Sequence, residues 1–150
     1  IINEGIIMKT AIYGAGSLGT VLGAYLSKAG VDVDLITRNK EHVDAMNEGG
    51  AKIVGTVNMT VPVHALTPDQ MTEKYELIIL LTKQLDNENI LRNLEKNMTD
   101  DCIVCTLQNG LPELSVSKVV GEDRTMGCTV ARAFRSLRVN PTVCRSASAE

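Results

Sequence analysis

The feature that most narrows the fold is a glycine-rich hexapeptide, Gly14-Ala-Gly16-Ser-Leu-Gly19, set between a short β-prone run (9–13) and a stretch of helical periodicity. Leu18, Val21, Leu22, Tyr25, Leu26 and Ala29 recur three or four residues apart and make one apolar stripe, which Gly30 ends. Alone, G-x-G-x-x-G also fits a plain turn. Between a strand and an amphipathic helix it meets the context required of a dinucleotide-binding βαβ unit. Gly14 then permits the tight turn, Gly16 lets a pyrophosphate reach the backbone, and Gly19 lets the helix lie close to the strand. Ala15 completes the loop, and the first-turn amides at Ser17 and Leu18 attract phosphate oxygens.

The alternation continues along the chain. Residues 31–36 read as a second strand and 40–48 as a short helix closed by Gly49 and Gly50. Residues 51–68 contain two β-prone runs, 52–54 and 59–61, and read as a connection with a small strand or two. The continuous apolar run 77–81 suits a parallel strand covered on both faces. A helix over 84–96, a strand over 102–107, a helix over 112–120 with Pro112 in its first turn, and a strand over 125–130 follow. This order predicts an α/β fold: a Rossmann-type, doubly wound, mainly parallel sheet with helices on both faces and ligands beyond the strands' carboxyl ends. One dinucleotide-binding domain is expected over 1–134, with 1–7 a leader or added remnant. Residues 135–150, rich in Arg and Ser and without period, are expected to be an atypical tail, disordered or left by truncation.

Composition removes several other classes. The chain has 150 residues, 44% of them hydrophobic and 22% charged, as one globular core requires. No run approaches the roughly 20 apolar residues of a membrane span, and a formal charge of −3 provides no basic face for nucleic acid. A cytoplasmic location is expected. Cys102 and Cys105 form C-x-x-C, but on a strand residues three apart face opposite ways, so ordinary buried thiols in a reducing compartment are expected. Cys128 and Cys144 stand singly. His42 and His64 are isolated in sequence, and no metal site is expected.

The polar chemistry lies at the strand ends. An NAD site usually has Asp or Glu about 20 residues past the glycines, bonded to the ribose 2′-hydroxyl. Here the stretch reads Thr37-Arg38-Asn39-Lys40. A carboxylate would repel a 2′-phosphate, whereas a guanidinium can bond it in bidentate fashion and stack on adenine. The expected cofactor is therefore NADP(H), with Arg38 its main 2′-phosphate ligand and Lys40 and Asn39 lesser helpers. A solvated basic turn is the plainer alternative. Glu41 suits the dipole of the helix it opens. Thr82 and Lys83 follow the buried run 77–81, where the chain leaves the sheet beside the crevice; a solvated lysine at a helix start is the alternative there. After the next strand comes Gln108-Asn109-Gly110, in which Asn109 offers donor and acceptor to a ribose or substrate, although Asn-Gly is also a common turn pair.

Together with Met126-Gly-Cys-Thr-Val-Ala131, these motifs are similar in order and spacing to the ketopantoate reductases, over residues 9–133. The resemblance implies NADPH-dependent reduction of 2-dehydropantoate to pantoate, on the pantothenate route to coenzyme A. It implies that the glycine loop holds the pyrophosphate, that Arg38 holds the 2′-phosphate, and that Lys83 and Asn109, with Thr82 beside them, line the nicotinamide and substrate side. Residues 129–133, Ala131 among them, would approach the nicotinamide through backbone atoms. The family's helical C-terminal half, with a catalytic lysine and a substrate-gripping carboxylate, has no counterpart in these 150 residues. No catalytic residue is therefore expected in this chain, which would bind cofactor without turnover; its small-molecule partner would be a 2-oxo acid. Apolar surface is expected around the last helix and strand, with self-association into a homo-oligomer. Two other readings stay open: an NADP-linked dehydrogenase of another hydroxy or sugar acid, and a non-enzymatic nucleotide-sensing module, many of which carry an acid where Arg38 stands.

Overall fold

A computed structural model of the chain describes residues 8–83 and 86–129, together with the backbone of 134–136 and 143–146. The glycine loop joins β1 (Thr10–Tyr13) to α1 (Ser17–Lys28), followed by β2 (Val33–Ile36) and α2 (Lys40–Gly49). Three short strands come next, β3 (Ala51–Gly55), β4 (Met59–Val61) and β5 (His64–Leu66), and a 3-10 turn at Pro68–Gln70. The second half contains β6 (Tyr75–Leu80), α3 (Asn87–Leu94), β7 (Met98–Thr106), α4 (Glu113–Val120) and β8 (Thr125–Gly127).

Six strands form one sheet in the order β5-β2-β1-β6-β7-β8. Every pairing in it is parallel. Counted along the chain within this sheet, the order is 3-2-1-4-5-6, the doubly wound arrangement whose strand order reverses between β1 and β6. Ile12, Leu35 and Ile79 pack on one side with Val43 and Met46 of α2 and, less deeply buried, Leu22 and Leu26 of α1. Ala11, Ile78, Leu80 and Val104 pack on the other with Leu91 of α3 and Val116 of α4. Both faces are covered, which explains why residues 77–80 do not alternate.

Two expectations change. The stretch 51–68 is more than a connection, because β5 is the edge strand of the main sheet, in register with β2 from Asp34↔His64 to Ile36↔Leu66. Three residues just after Pro62 carry too little periodic signal to be read as a strand; the pairing with β2 makes them one. The second change lies in the tail. Phe134–Ser136 (β9) and Val143–Ser146 (β10) are strands, and β10 runs parallel to β3 in a second sheet ordered β4-β3-β10-β9. The edge of β3 not bonded to β4 presents a row of N–H and C=O groups, and β10 pairs with it. Val21 and Ala24 of α1 pack against Ala51, Ile53 and Val61 of this sheet, so α1 is buried between two sheets.

At the amino edge of the main sheet, opposite the glycine loop, Asp34 is a buried carboxylate with three partners. The Tyr75 hydroxyl donates to it at 2.7 Å, His64 Nδ1 lies 2.7 Å from its other oxygen, and Lys9 Nζ is 3.3 Å away. Burial alone would raise the Asp34 pKa, but the hydrogen bonds from His64 and Tyr75 and the Lys9 charge outweigh it and hold the carboxyl below its ordinary value. A depressed folded-state pKa contributes stability that is complete above the unfolded-state value and is lost as pH falls through the folded one. Urea unfolding of the wild type between about pH 6 and 2 is therefore expected to lose stability more steeply than Asp34→Asn, whose amide does not titrate. Parallel pH profiles for the two would remove Asp34 from the acid response.

Leu111, Leu114 and Met126, on or beside α4 and β8, are 73%, 65% and 49% exposed, as the apolar surface expected around the last helix and strand requires. Among the described residues no helix is long and apolar enough to cross a membrane.

Candidate functional site

The carboxyl ends of β1, β2, β6 and β7 converge where the strand order reverses. Beyond β1 the amides of Gly14 and Ala15 both donate to the Ile36 carbonyl at 2.9 Å, and the Leu81 amide donates to the Tyr13 carbonyl at 2.8 Å. These bonds tie the chain leaving β1 to β2 and β6. Gly14 has φ +105°, and a Cβ there would lie 2.7 Å from the Thr82 amide nitrogen and 2.8 Å from the Leu81 carbonyl carbon. A Cβ on Gly19 would meet the Gly14 carbonyl oxygen at 2.7 Å, so α1 sits against the loop as closely as backbone permits. Gly16 differs: chain neighbours aside, no described atom lies within 4 Å of where its Cβ would be.

That open space fits the approach of a pyrophosphate to the backbone. Gly16 takes the N-cap of α1, no side chain caps the helix, and no acidic residue stands in its first turn, which includes Ser17, Leu18 and Gly19. The first amides of a helix have no partner within it and carry partial positive charge, so these remain for an anion. Gly16→Ala is expected to fold with wild-type stability, because its methyl meets nothing, and to bind a dinucleotide phosphate about tenfold more weakly. Thermal unfolding read beside a coenzyme titration checks both halves.

Arg38 follows β2 and lines a cavity of about 150 Å³ with Tyr13, Gly14, Ile36, Thr37, Pro68 and Thr82. Among the described residues no carboxylate pairs with Arg38. Its charge acts on Tyr13, whose hydroxyl pKa is raised by burial, against the lowering effect of the Arg38 charge. Among the described residues the cationic end of the cavity thus has no ion-pair partner. Lys40 takes no part in it: its ammonium bonds Asp44 at 2.8 Å, one helical turn on. Asn39 is the N-cap of α2, its side chain accepting from the His42 amide at 3.1 Å. Sequence reasoning missed Tyr13 and Pro68 as cavity walls; the place of Tyr13 just before the first glycine was a usable signal, while Pro68 arrives from a distant turn.

Thr82 lies at the cavity's other wall, and Lys83 follows it, exposed. Asn109, also exposed, follows β7 in a turn with Gly110 at φ +93°. Between these two loops lies an amide pair. The Asn87 Nδ2 donates to Gln108 Oε1 at 2.9 Å, and the Gln108 Nε2 donates to Asn87 Oδ1 at 2.9 Å. Gln108 also donates to the Thr82 carbonyl at 2.6 Å, and Asn87 to the Ser115 hydroxyl at 3.0 Å. Ala131 lies outside the described residues.

The cysteines follow the strand argument in part. Cys102 packs on the α3 and α4 side of the sheet and Cys105 on the α1 and α2 side. Cys128 does not stand singly, for its sulfur lies 3.2 Å from that of Cys105. Burial pushes the Cys102 thiol up to about 11; burial, with Cys128 alongside, pushes Cys105 up to about 12. Thiols so raised are almost wholly protonated near neutrality and are poor nucleophiles.

Comparison with known proteins agrees with this arrangement. The family model described as ketopantoate reductase PanE/ApbA matches residues 10–143. A 2-dehydropantoate 2-reductase of Pyrococcus abyssi is 41% identical over 106 residues, which are 69% of this chain and 34% of that protein. One of Halobacterium salinarum is 30% identical over 145 residues, 93% of this chain and 46% of its own length. Among solved structures, a 2-dehydropantoate 2-reductase from Geobacter metallireducens superposes with a TM-score of 0.81 at 26% identity, over 93% of this chain and 46% of that one. A D-mandelate dehydrogenase with NADH and anilino(oxo)acetate gives 0.83 at 26%, over 94% and 46%. The chain thus spans between about a third and just under half the length of these relatives. With the family model matched from β1 into β10, the chain belongs to the ketopantoate reductase family.

Proposed function

We propose that the chain is the NADPH-binding part of a 2-dehydropantoate 2-reductase, which reduces ketopantoate to pantoate in pantothenate biosynthesis. The observation that carries the choice of NADPH is Arg38, an unpaired cation among the described residues, lining the cavity beside the glycine loop. Its planar fork suits the 2′-phosphate, and no acid stands at the end of β2 to take the 2′-hydroxyl of NADH instead. The open backbone at Gly16 and the first-turn amides of α1 hold the pyrophosphate. Lys83 and Asn109 are the polar groups on the nicotinamide and substrate side. Bound coenzyme would supply the hydride. The lysine and carboxylate that the family resemblance assigns to proton transfer and substrate grip have no counterpart in these 150 residues, so they alone would bind coenzyme without turnover.

Calorimetric titration with NADPH and NADH tests the reading. NADPH is expected to bind about tenfold or more tightly. Equal or NADH-favoured affinity would overturn it and support a nucleotide-sensing module. One observation favours a second substrate, since the D-mandelate dehydrogenase neighbour is named with an anilino(oxo)acetate ligand. Turnover of a set of 2-oxo acids by the longer protein containing this chain separates the two, with ketopantoate the preferred substrate under the first reading.

A further inference from the structure

We propose that Asn87 and Gln108 are positioning residues whose side-chain amide pair sets the spacing between the loops that carry Lys83 and Asn109, and so fixes the nicotinamide half of the site. The inference rests on the cofactor reading above.

The pair joins segments remote in sequence. Asn87 opens α3 and is 4% exposed; Gln108 lies two residues beyond the end of β7. Their two reciprocal bonds would survive rotating both amides by half a turn, so the partners around them decide the orientation. The Thr82 carbonyl can only accept, so it requires the Gln108 nitrogen at 2.6 Å and leaves Oε1 for Asn87. Oε1 accepts a further bond from the Thr106 hydroxyl at 3.2 Å. The second N–H of Asn87 goes to the Ser115 hydroxyl, which itself donates to the Pro112 carbonyl at 2.8 Å. All four amide hydrogens are therefore used, each by a different segment. A network this fully satisfied has one arrangement, because any shift of a loop breaks a bond that half-buried surroundings do not replace with water.

The two ends of the network stand beside the candidate ligand-contacting residues. Thr82 immediately precedes Lys83, and Gln108 immediately precedes Asn109. Among the described residues neither Lys83 nor Asn109 has a hydrogen bond or ion pair of its own, so each takes its place from the backbone beside it. The Thr82 amide also lies against Gly14, so the same clamp refers both loops to the phosphate-binding turn. Of the residues lining the Arg38 cavity, Thr82 alone is bonded by the amide pair among the described contacts, through its carbonyl and hydroxyl; Arg38, Tyr13 and Thr37, which stand nearest the expected 2′-phosphate, receive no side-chain bond from it.

This division gives the test. The probes are NADPH and adenosine 2′,5′-bisphosphate, which carries the 2′-phosphate but lacks the nicotinamide riboside. Gln108→Met keeps the side-chain length and removes the amide. It is expected to weaken NADPH about tenfold and the bisphosphate less than about twofold. The swapped pair Asn87→Gln with Gln108→Asn restores two facing amides and is expected to recover most of the NADPH loss. Should Gln108→Met fail to fold, Ser115→Ala, which removes one outer bond and leaves the pair intact, carries the same split at about two- to threefold. Equal losses for both probes, or unchanged NADPH affinity in a folded variant, overturn the proposal. Wild type that binds neither probe overturns the cofactor reading itself, and the clamp's role with it.

Discussion

Arg38→Ala is expected to weaken NADPH binding by about 1.5 to 3 kcal/mol, roughly 10- to 150-fold in Kd, while NADH affinity stays nearly unchanged. The asymmetry follows from what Arg38 touches. It has no carboxylate partner among the described residues, so its removal strands no buried charge and the fold should not respond. Under the proposed reading the loss is confined to the charge-assisted bonds that Arg38 would make with the 2′-phosphate, which NADH lacks. Because the side chain is exposed, screening matters, and the full effect appears at low ionic strength and shrinks as salt is added. Arg38→Lys separates charge from shape: the ammonium keeps the attraction but loses the planar fork, and an intermediate loss is expected. Lys40→Ala serves as the internal control, since that ammonium is engaged by Asp44. Titrations in which Arg38→Ala weakens NADPH and NADH alike would sink the 2′-phosphate assignment.

Gly14→Ala is expected to destabilise the fold by about 2 to 5 kcal/mol, from two separate terms. The first is backbone strain, because φ is +105° and an L side chain there costs about 1 to 3 kcal/mol. The second is overlap, because the new methyl would stand 2.7 Å from the Thr82 amide nitrogen and 2.8 Å from the Leu81 carbonyl carbon. Those are backbone atoms held in the sheet by the bond from the Leu81 amide to Tyr13, so they cannot turn aside as a flexible side chain would. Relieving the overlap means parting β1 from β6 at the point where the sheet divides. A drop in Tm on the order of 10 °C follows, measured by thermal unfolding and checked by denaturant midpoint. Gly16→Ala, two residues on, is the matched contrast, with binding weakened and stability kept. Stability of Gly14→Ala within about 0.5 kcal/mol of wild type would mean that the two loops do not touch.

What could be read from the residues was whatever has a local signature. The glycine loop, the amphipathic stripe of α1 and the buried run at 77–81 each announce an element through spacing, and alternation of such elements restricts the topology to a doubly wound sheet. Arg38 stands out in the sequence because an expected acid is missing at a known distance from the glycines, and the structure has it lining the cavity beside the glycine loop. What escaped is whatever depends on distant partners. β5 is three residues long and becomes a strand by pairing with β2, and β10 does so by pairing with β3. Lys40, expected as a lesser helper at the phosphate, bonds Asp44 four residues on, a contact that the helical ion-pair spacing in the sequence already allows. The amide pair had no such signal, since Asn87 and Gln108 are 21 residues apart and each looks like an ordinary loop-edge polar residue. Cys105 and Cys128 met in the same way, through neighbouring parallel strands.

The placement of α1 between two sheets also bears on how a ligand is received. Val21 and Ala24 are gripped from one side, while Leu22 and Leu26 pack from the other, so the helix that offers its first amides cannot tilt or unwind to meet an incoming anion. A receptor already rigid before the encounter loses little freedom when occupied, so most of the attraction survives as net affinity. Under the proposed reading, coenzyme capture at this end of the molecule is a docking event rather than a folding one, with amide exchange in the body of α1 already slow before the site is filled.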